Sequence, residues 1–323
     1  YSFSVVAPIR FSSPRAIIGL KTLAEAQSIR RRVLSNLEKA ELTTCDKDRR
    51  RLMTVAIAGG GPTGVELAGA FTDLVHRSLR NDFRRIDTSK LRVVLLEGSD
   101  RLLGSFGKKQ SEYAFKRLEE LGVEILTGTM VADVTEGCVH LADGSTVEAA
   151  AIIWAAGTEA NPLTRQLGVP LADRAGRLAP EADLSLPGFP EVFVGGDLVS
   201  LKDSKGNLIP GVAPAAVQMG RHVAAVLKEE SRLENTRFKE QKLELRPRFR
   251  YFDKGIMAII GKNAAVVSSG KLRLTGFLAW LGWLFIHILF LVGFRNKLSV
   301  LLGWAFAYAR NTPDTRIIVQ KQE

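Results

Sequence analysis

Cysteine is nearly absent from this chain of 323 residues: Cys45 and Cys138 stand far apart in sequence and form neither a metal-ligand nor a dithiol spacing. That sets aside zinc ribbons, CxxC redox motifs and a disulfide framework, and leaves two ordinary thiols suited to a reducing compartment. Also missing is any aromatic RNP-type motif beside the basic residues, so nucleic acid falls behind as a partner. No initiator methionine and no signal peptide opens the chain, and Tyr1-Ser2-Phe3 starts in the middle of a pattern; the expectation is a chain truncated ahead of Tyr1. No internal repeat is visible. Nor is there a set of long apolar runs of the kind a multi-span bundle needs, which argues against proton pumping.

What is present is ordinary globular material, 46% hydrophobic and 24% charged, enough for two or three domains. The formal net charge of +11 calls for a polyanionic surface, and with nucleic acid set aside an anionic bilayer is the better match. The run from Lys228 to Arg250, with Arg232, Arg237, Lys239, Lys242, Arg246 and Arg248 within it, reads either as a solvated face or as part of that surface.

Hydrophobic periodicity predicts a helix over Leu20 to Leu42, with Thr22 and Glu25 as a capping box, then a polar, basic connector from Thr43 to Arg51. A buried strand follows over Met53 to Ala58, a helix over Val65 to His76 and a strand over Leu91 to Glu97. A helix near Gln110 to Leu121 leads to short strands at Val123 to Leu126, Met130 to Val134 and Val139 to Leu141, an Asp143-Gly144 turn, and a strand over Ala151 to Ala156. This alternation is that of an α/β dinucleotide-binding domain. Beyond Gly157 the pattern loosens, returning as a strand at Val192 to Val194, a helix over Pro214 to Leu227 and a short β element near Arg250.

Gly59-Gly60-Gly61-Pro62-Thr63-Gly64 fits G-x-G-x-x-G, weak alone but here placed between a strand and a helix. Gly59, Gly61 and Gly64 would let the backbone approach a pyrophosphate, and the N-terminus of the helix that follows Pro62, Thr63 and Gly64 would supply N–H groups and a partial positive charge to it. Glu97, at the end of the next strand, follows Gly64 by 33 positions (97 − 64), with the polar stretch Arg77 to Lys90 accounting for the length. A carboxylate there would bind ribose hydroxyls and repel a 2′-phosphate, favouring NADH, although Arg101 lies nearby.

Together with Gly19-Leu20-Lys21-Thr22-Leu23, Trp154-Ala155-Ala156-Gly157, Val192 to Asp197, Tyr251-Phe252-Asp253-Lys254-Gly255 and Gly293-Phe294-Arg295-Asn296, the stretch Gly59 to Gly69 resembles the type II NADH dehydrogenases. The resemblance implies a Rossmann-like NAD-binding domain inserted in an FAD-binding domain, with a C-terminal membrane-associating helical region. The implied boundaries are residues 1–50 for the end of the first FAD segment, 51–157 for the NADH domain, 158–228 for the second FAD segment and 229–323 for the membrane side. It also implies FAD and NADH as cofactors and a membrane quinone as oxidant. Glu66 would sit near nicotinamide and flavin, Gly196 and Asp197 at the ribityl chain, and Ala156 and Gly157 in the cofactor-binding set. In Val212 to Gly220, Ala213, Ala216 and Gln218 match a family Ala-Gln-x-Ala-x-Gln-Gln motif, whereas Pro214 and Met219 replace glutamines. Gln218 and Lys254 are carried over as catalytic candidates beside the quinone. The Gly-rich turn that grips the FAD pyrophosphate in the family has no counterpart before Gly59.

Phe277 to Phe294 carries no formal charge and one histidine, His287. It ends at Arg295-Asn296-Lys297, and a second segment, Leu298 to Ala309, carries Trp304 and Tyr308. Two short helices joined at a basic corner suit an anchor lying in the membrane plane, and the resemblance, to a monotopic family, favours this over a single span. The expectation is thus a peripheral enzyme at the cytoplasmic face of the inner or cell membrane, contacting anionic lipid, with a homodimer left open. The rivals are a soluble flavin reductase of a disulfide or iron–sulfur partner, and a non-catalytic fragment binding NAD and membrane. The C-terminus lacks the paired His and Glu of the disulfide reductases.

Overall fold

The computed structural model describes residues 11–75, 79, 82–233, 243–291 and 293–310. The chain forms two compact units: residues 11–156 with 255–310, and residues 157–254. It crosses from one to the other at Gly157 and back at Gly255, both with left-handed backbone (φ +93° and +90°), which glycine adopts without a Cβ penalty.

The first unit is built on a five-stranded parallel sheet, order β1-β8-β2-β3-β4. These strands are β1 Ile17–Gly19, β2 Thr54–Ala58, β3 Arg92–Leu96, β4 Val123–Leu126 and β8 Ala151–Trp154. Because side chains alternate across a strand, Val55, Ile57, Val93, Leu95 and Ile153 face one side and Ala56, Ala58, Val94, Leu96 and Ile152 the other. The first set packs under three helices, α1 Leu23–Leu42, α3 Pro62–Asp73 and α4 Lys108–Glu120. The second is covered by an antiparallel meander of β5 Val131–Thr135, β6 Cys138–Leu141 and β7 Thr146–Glu148. Burial on both faces explains why the strands read as continuous apolar runs.

The expected capping box opens α1: Thr22 Oγ1 accepts from Glu25 N–H at 3.2 Å, and Glu25 Oε2 accepts from Thr22 N–H at 2.7 Å. The expected connector over Thr43 to Arg51 is instead largely a helix, α2 Asp46–Leu52. Asp46 and Asp48 sit in its first turn and Arg49 to Arg51 in its last, a distribution that complements the helix dipole without any apolar periodicity to announce it. Residue 50, the expected domain boundary, falls inside this unit, because β1 pairs in parallel with β8 (Ile17 opposite Ile152). The strand expected at Val192 to Val194 starts earlier, at Phe189.

A second antiparallel sheet, β11 Ile256–Ile259, β12 Ala265–Ser269 and β13 Leu272–Thr275, joins the same unit. Ala258, Ile260 and Val266 add to the core under the helices, while Met257, Ala265 and Val267 face α7 Gly276–Phe290, where Ala279 and Trp280 are buried. α7 is thereby mounted on a sheet that leans against α3, with Gly69 and Gly261 so close that a Cβ on Gly69 would lie 2.6 Å from Gly261 N. The apolar segment expected as one run breaks after Phe290, and α8 Phe294–Arg310 begins four residues earlier than its predicted start. The corner is built: Gly293 is left-handed, and Lys297 Nζ donates to the Leu289 carbonyl at 2.8 Å. No helix among the described residues is long and apolar enough to cross a membrane. At 15 residues α7 spans about 22 Å, against roughly 30 Å of bilayer core.

The second unit holds a short helix α5 Leu163–Gln166, a hairpin of β9 Ser185–Leu186 and β10 Phe189–Phe193, and the long helix α6 Ala213–Leu233. Its core is Leu178, Leu184, Leu186, Val194, Val199 and Met219. Arg246, expected on a solvated or lipid-facing basic run, is internal, its side chain 6% exposed. It donates to Glu230 at 2.7 Å, to Asp183 at 3.0 Å and to the Pro190 carbonyl at 2.7 Å, and lies 4.8 Å from the Phe193 ring centroid.

Candidate functional site

In the turn between β2 and α3 each glycine serves a different purpose. At Gly59 (φ +113°) a Cβ would lie 2.6 Å from the Ala155–Ala156 backbone, so β2 and β8 can close at their ends only around glycine. A Cβ on Gly64 would lie 1.8 Å from the Gly59 carbonyl oxygen, so only glycine lets α3 start this near the strand. Around Gly61, the N-cap of α3, nothing lies within 4 Å of a Cβ position. That open space, with Pro62 and Thr63 exposed at the helix N-terminus, is a cradle that an incoming pyrophosphate can reach against free N–H groups.

Glu97 stands directly beside it. Its Oε2 accepts from Gly60 N–H at 2.6 Å and its Oε1 from Ser99 N–H at 2.7 Å as well as from the Ser99 hydroxyl. The carboxylate is thus held at the turn, with lone pairs remaining for ribose hydroxyls. Ser99, which holds Glu97 in place, carries no signal in the sequence. Ala156 closes the opposite side, its carbonyl accepting from the Trp154 indole at 3.1 Å.

Glu66, in the second turn of α3, is half-buried and reaches β11, where its Oε1 accepts from Ile259 N–H at 3.1 Å. Burial raises its pKa above the usual carboxylate range, and the Ile259 N–H opposes the shift only in part. A carboxyl whose folded pKa lies above the unfolded value of about 4.3 contributes stability that is fully present below that value and lost as pH rises through the folded pKa. Glu66→Gln removes this loss. In urea titrations its stability relative to wild type should therefore climb from pH 4 toward neutrality; a difference independent of pH would show that Glu66 is not perturbed.

The other carried-over residues lie in the second unit. Gly196 is left-handed (φ +68°), and its N–H donates to Met219 Sδ at 3.1 Å. Asp197 is exposed, its carboxylate 3.1 Å from a Cβ position on Gly211, and Ala216 lies against Gly196. Ala213 opens α6, a helix long enough for a well-formed N-terminus. Lys254 is exposed at the end of this unit. Gln218 is fully engaged: Nε2 donates to Pro214 O at 3.1 Å and Phe252 O at 3.0 Å, and Oε1 accepts from Phe252 N–H at 2.9 Å. The structure thus brings Gly59, Gly61, Pro62, Thr63, Gly64, Glu97 and Ala156 together at one turn of the first unit. It groups Gly196, Asp197, Ala213, Ala216 and Gln218 around the start of α6 in the second. Cys138 is half-buried, and burial pushes its thiol pKa up, away from a reactive thiolate.

A glycine turn between strand and helix, with an acidic residue ending the neighbouring parallel strand, defines a dinucleotide-binding α/β protein. More closely, the chain belongs to the pyridine nucleotide-disulphide oxidoreductase family, whose model matches residues 12–220. It is 39% identical to the type II NADH:quinone oxidoreductase Ndh of Mycobacterium tuberculosis over 90% of this chain and 62% of that protein. It is 30% identical to the internal alternative NAD(P)H-ubiquinone oxidoreductase A1 of Arabidopsis thaliana mitochondria, over 91% and 59% respectively. The chain therefore spans about three-fifths of the length of these curated relatives. Among solved structures, NDH2 of Plasmodium falciparum in complex with NADH superposes with a TM-score of 0.82 at 17% identity, covering 96% of this chain and 76% of that one. The reduced CoADR-RHD of Bacillus anthracis gives 0.55 at 18%, covering 79% and 38%. At these identities both show the fold.

Proposed function

We propose that this chain is the greater part of a type II NADH:quinone oxidoreductase, a flavoprotein that carries electrons from NADH to a membrane quinone without pumping protons. The observation that carries the reading is that a single unit holds both the glycine turn and the exposed apolar pair α7–α8, linked through the sheet packed on α3. The names of the curated relatives agree with it.

In this reading Gly59, Gly61, Gly64 and the N-terminus of α3 bind the NADH pyrophosphate, and Glu97 orients the ribose. Glu66, whose pKa burial pushes above the ordinary value, stands on the same helix as the glycine turn, and the start of α6 favours negative charge on a bound ring. A bound flavin supplies the two-electron redox chemistry. Gly196, Asp197, Ala213 and Ala216 fit a polyol and ring edge: the backbone is left-handed at Gly196 and a carboxylate stands free at the corner. The test is NADH:quinone oxidoreduction with a short-chain quinone after incubation with FAD. Visible flavin absorbance without quinone reduction would refute the reading and favour a soluble flavin reductase; no bound flavin at all would favour a non-catalytic fragment.

Replacing Glu97 by glutamine removes the charge that repels a 2′-phosphate while keeping an acceptor for Gly60 N–H. The NADPH-to-NADH ratio of kcat/KM should rise about tenfold, a change of roughly 1.4 kcal/mol. An unchanged ratio would place the ribose elsewhere.

In this reading the protein attaches peripherally at the cytoplasmic face of the inner or cell membrane, and the exposed apolar side chains of α7 and α8 support the peripheral attachment. Phe285 is 66% and Phe294 81% exposed, and Leu278, Leu289, Leu298 and Leu302 are exposed with them beside the Arg295–Lys297 corner. Vesicles with phosphatidylglycerol should sediment the protein more strongly than neutral ones, and high salt should narrow the gap. Equal binding to both would remove the anionic-lipid component. Sedimentation velocity in detergent decides between monomer and homodimer.

A further inference from the structure

The side-chain amide of Gln218 spends its hydrogen-bonding capacity within the protein. An amide nitrogen carries two N–H groups; here one goes to the Pro214 carbonyl and the other to Phe252, while the amide oxygen takes the Phe252 N–H. A quinone carbonyl is an acceptor and needs a donor, and Gln218 has none left to give. The paired contacts to Phe252 N–H and C=O instead copy one rung of an antiparallel ladder and fasten residue 252 to the second turn of α6. An apolar residue so firmly fixed would ordinarily be turned inward, yet the Phe252 side chain is 69% exposed. It stands beside the helix start that also holds Gly196, Ala216 and Met219.

We propose that Gln218 is a positioning residue whose amide clasp presents the Phe252 ring as the aromatic platform on which the quinone ring stacks. This rests on the quinone reductase reading above and changes what its site is made of: face-to-face aromatic contact from Phe252, with Gln218 acting only through it.

The test uses the full chain incubated with FAD. Phe252→Leu and Gln218→Ala should each raise the quinone KM about tenfold with a smaller change in kcat, and the double variant should be no worse than either single, because both act through one contact. Phe252→Trp should restore the wild-type KM. A Gln218→Ala defect confined to kcat, or a double variant showing the product of the two single effects, would overturn the proposal. Two readouts need no turnover. The Phe252 amide should be protected from hydrogen exchange in wild type and lose that protection in Gln218→Ala. In Phe252→Trp, added quinone should quench the extra indole emission over the wild-type background. An unprotected amide, or no extra quenching, sinks the proposal. Quenching without NADH:quinone turnover sinks the oxidoreductase reading and leaves the platform standing; turnover with a normal Phe252→Leu variant does the reverse.

Discussion

Gly64→Ala is expected to abolish NADH binding and to lower the melting temperature of the first unit, whereas Gly61→Ala is expected to weaken binding alone. The difference lies in what the added methyl meets. At Gly64 it would stand 1.8 Å from the Gly59 carbonyl oxygen and 3.4 Å from Leu95 Cδ1. The first of these is backbone at the buried end of β2, so no rotamer change relieves it and α3 must move off the sheet. Overpacking of this kind costs about 1–3 kcal/mol, more where backbone must shift, which corresponds to several degrees in a unit of this size. At Gly61 the methyl meets nothing, and the backbone there is ordinary extended geometry (φ −72°) that any residue adopts. Only an incoming ligand would feel it. Calorimetry and fluorescence titration of NADH on both variants separate the two effects; wild-type affinity in Gly61→Ala would show that the pyrophosphate does not approach there.

That contrast also marks how much of the site is legible in the sequence. The glycine turn, the helix after it and Glu97 are legible because strand and helix periodicities bracket a motif whose spacing has a physical reason. The Thr22–Glu25 capping box is legible for the same cause, since donor and acceptor lie three residues apart. α2 is not, because seven residues dominated by charge stabilise a helix through its dipole and leave no apolar stripe. β1, three residues long, becomes a strand only because β8 supplies its partner from more than a hundred positions away. Gln218 is recognisable as a site residue but not by its role, since its type suits a quinone donor whereas the groups that consume its amide include Phe252, 34 positions on. Phe252 itself is hidden inside a motif whose lysine is the more obvious chemical group. One-dimensional patterns show which residues can make a bond, and tertiary structure decides which bonds they make.

Arg246 is the clearest instance, and its removal carries the other large expected effect. In sequence it is one cation among eight in a basic run; in the structure it bridges Asp183 and Glu230, carboxylates whose side chains are 14% and 15% exposed. Arg246→Met keeps the volume and leaves two nearly buried carboxylates uncompensated, which should cost about 3–5 kcal/mol at neutral pH. Burial alone would raise the Asp183 pKa, but donors from Ser185 and Arg246 outweigh it and hold it below the ordinary value. Stability from Asp183 is therefore present above the unfolded value of about 3.9 and lost as pH falls through the folded one. In the variant Asp183 loses the Arg246 donor that holds its pKa down and takes up a proton more readily, so the gap between variant and wild type should narrow as pH falls from 7 toward 4. Neutralising the whole cluster, with Asp183→Asn and Glu230→Gln added to Arg246→Met, should recover more than half of the loss, because no buried charge then remains unpaired. Urea denaturation of the single and triple variants at both pH values decides the matter. A triple variant as unstable as the single would mean that Arg246 acts through packing against Phe193 rather than through charge.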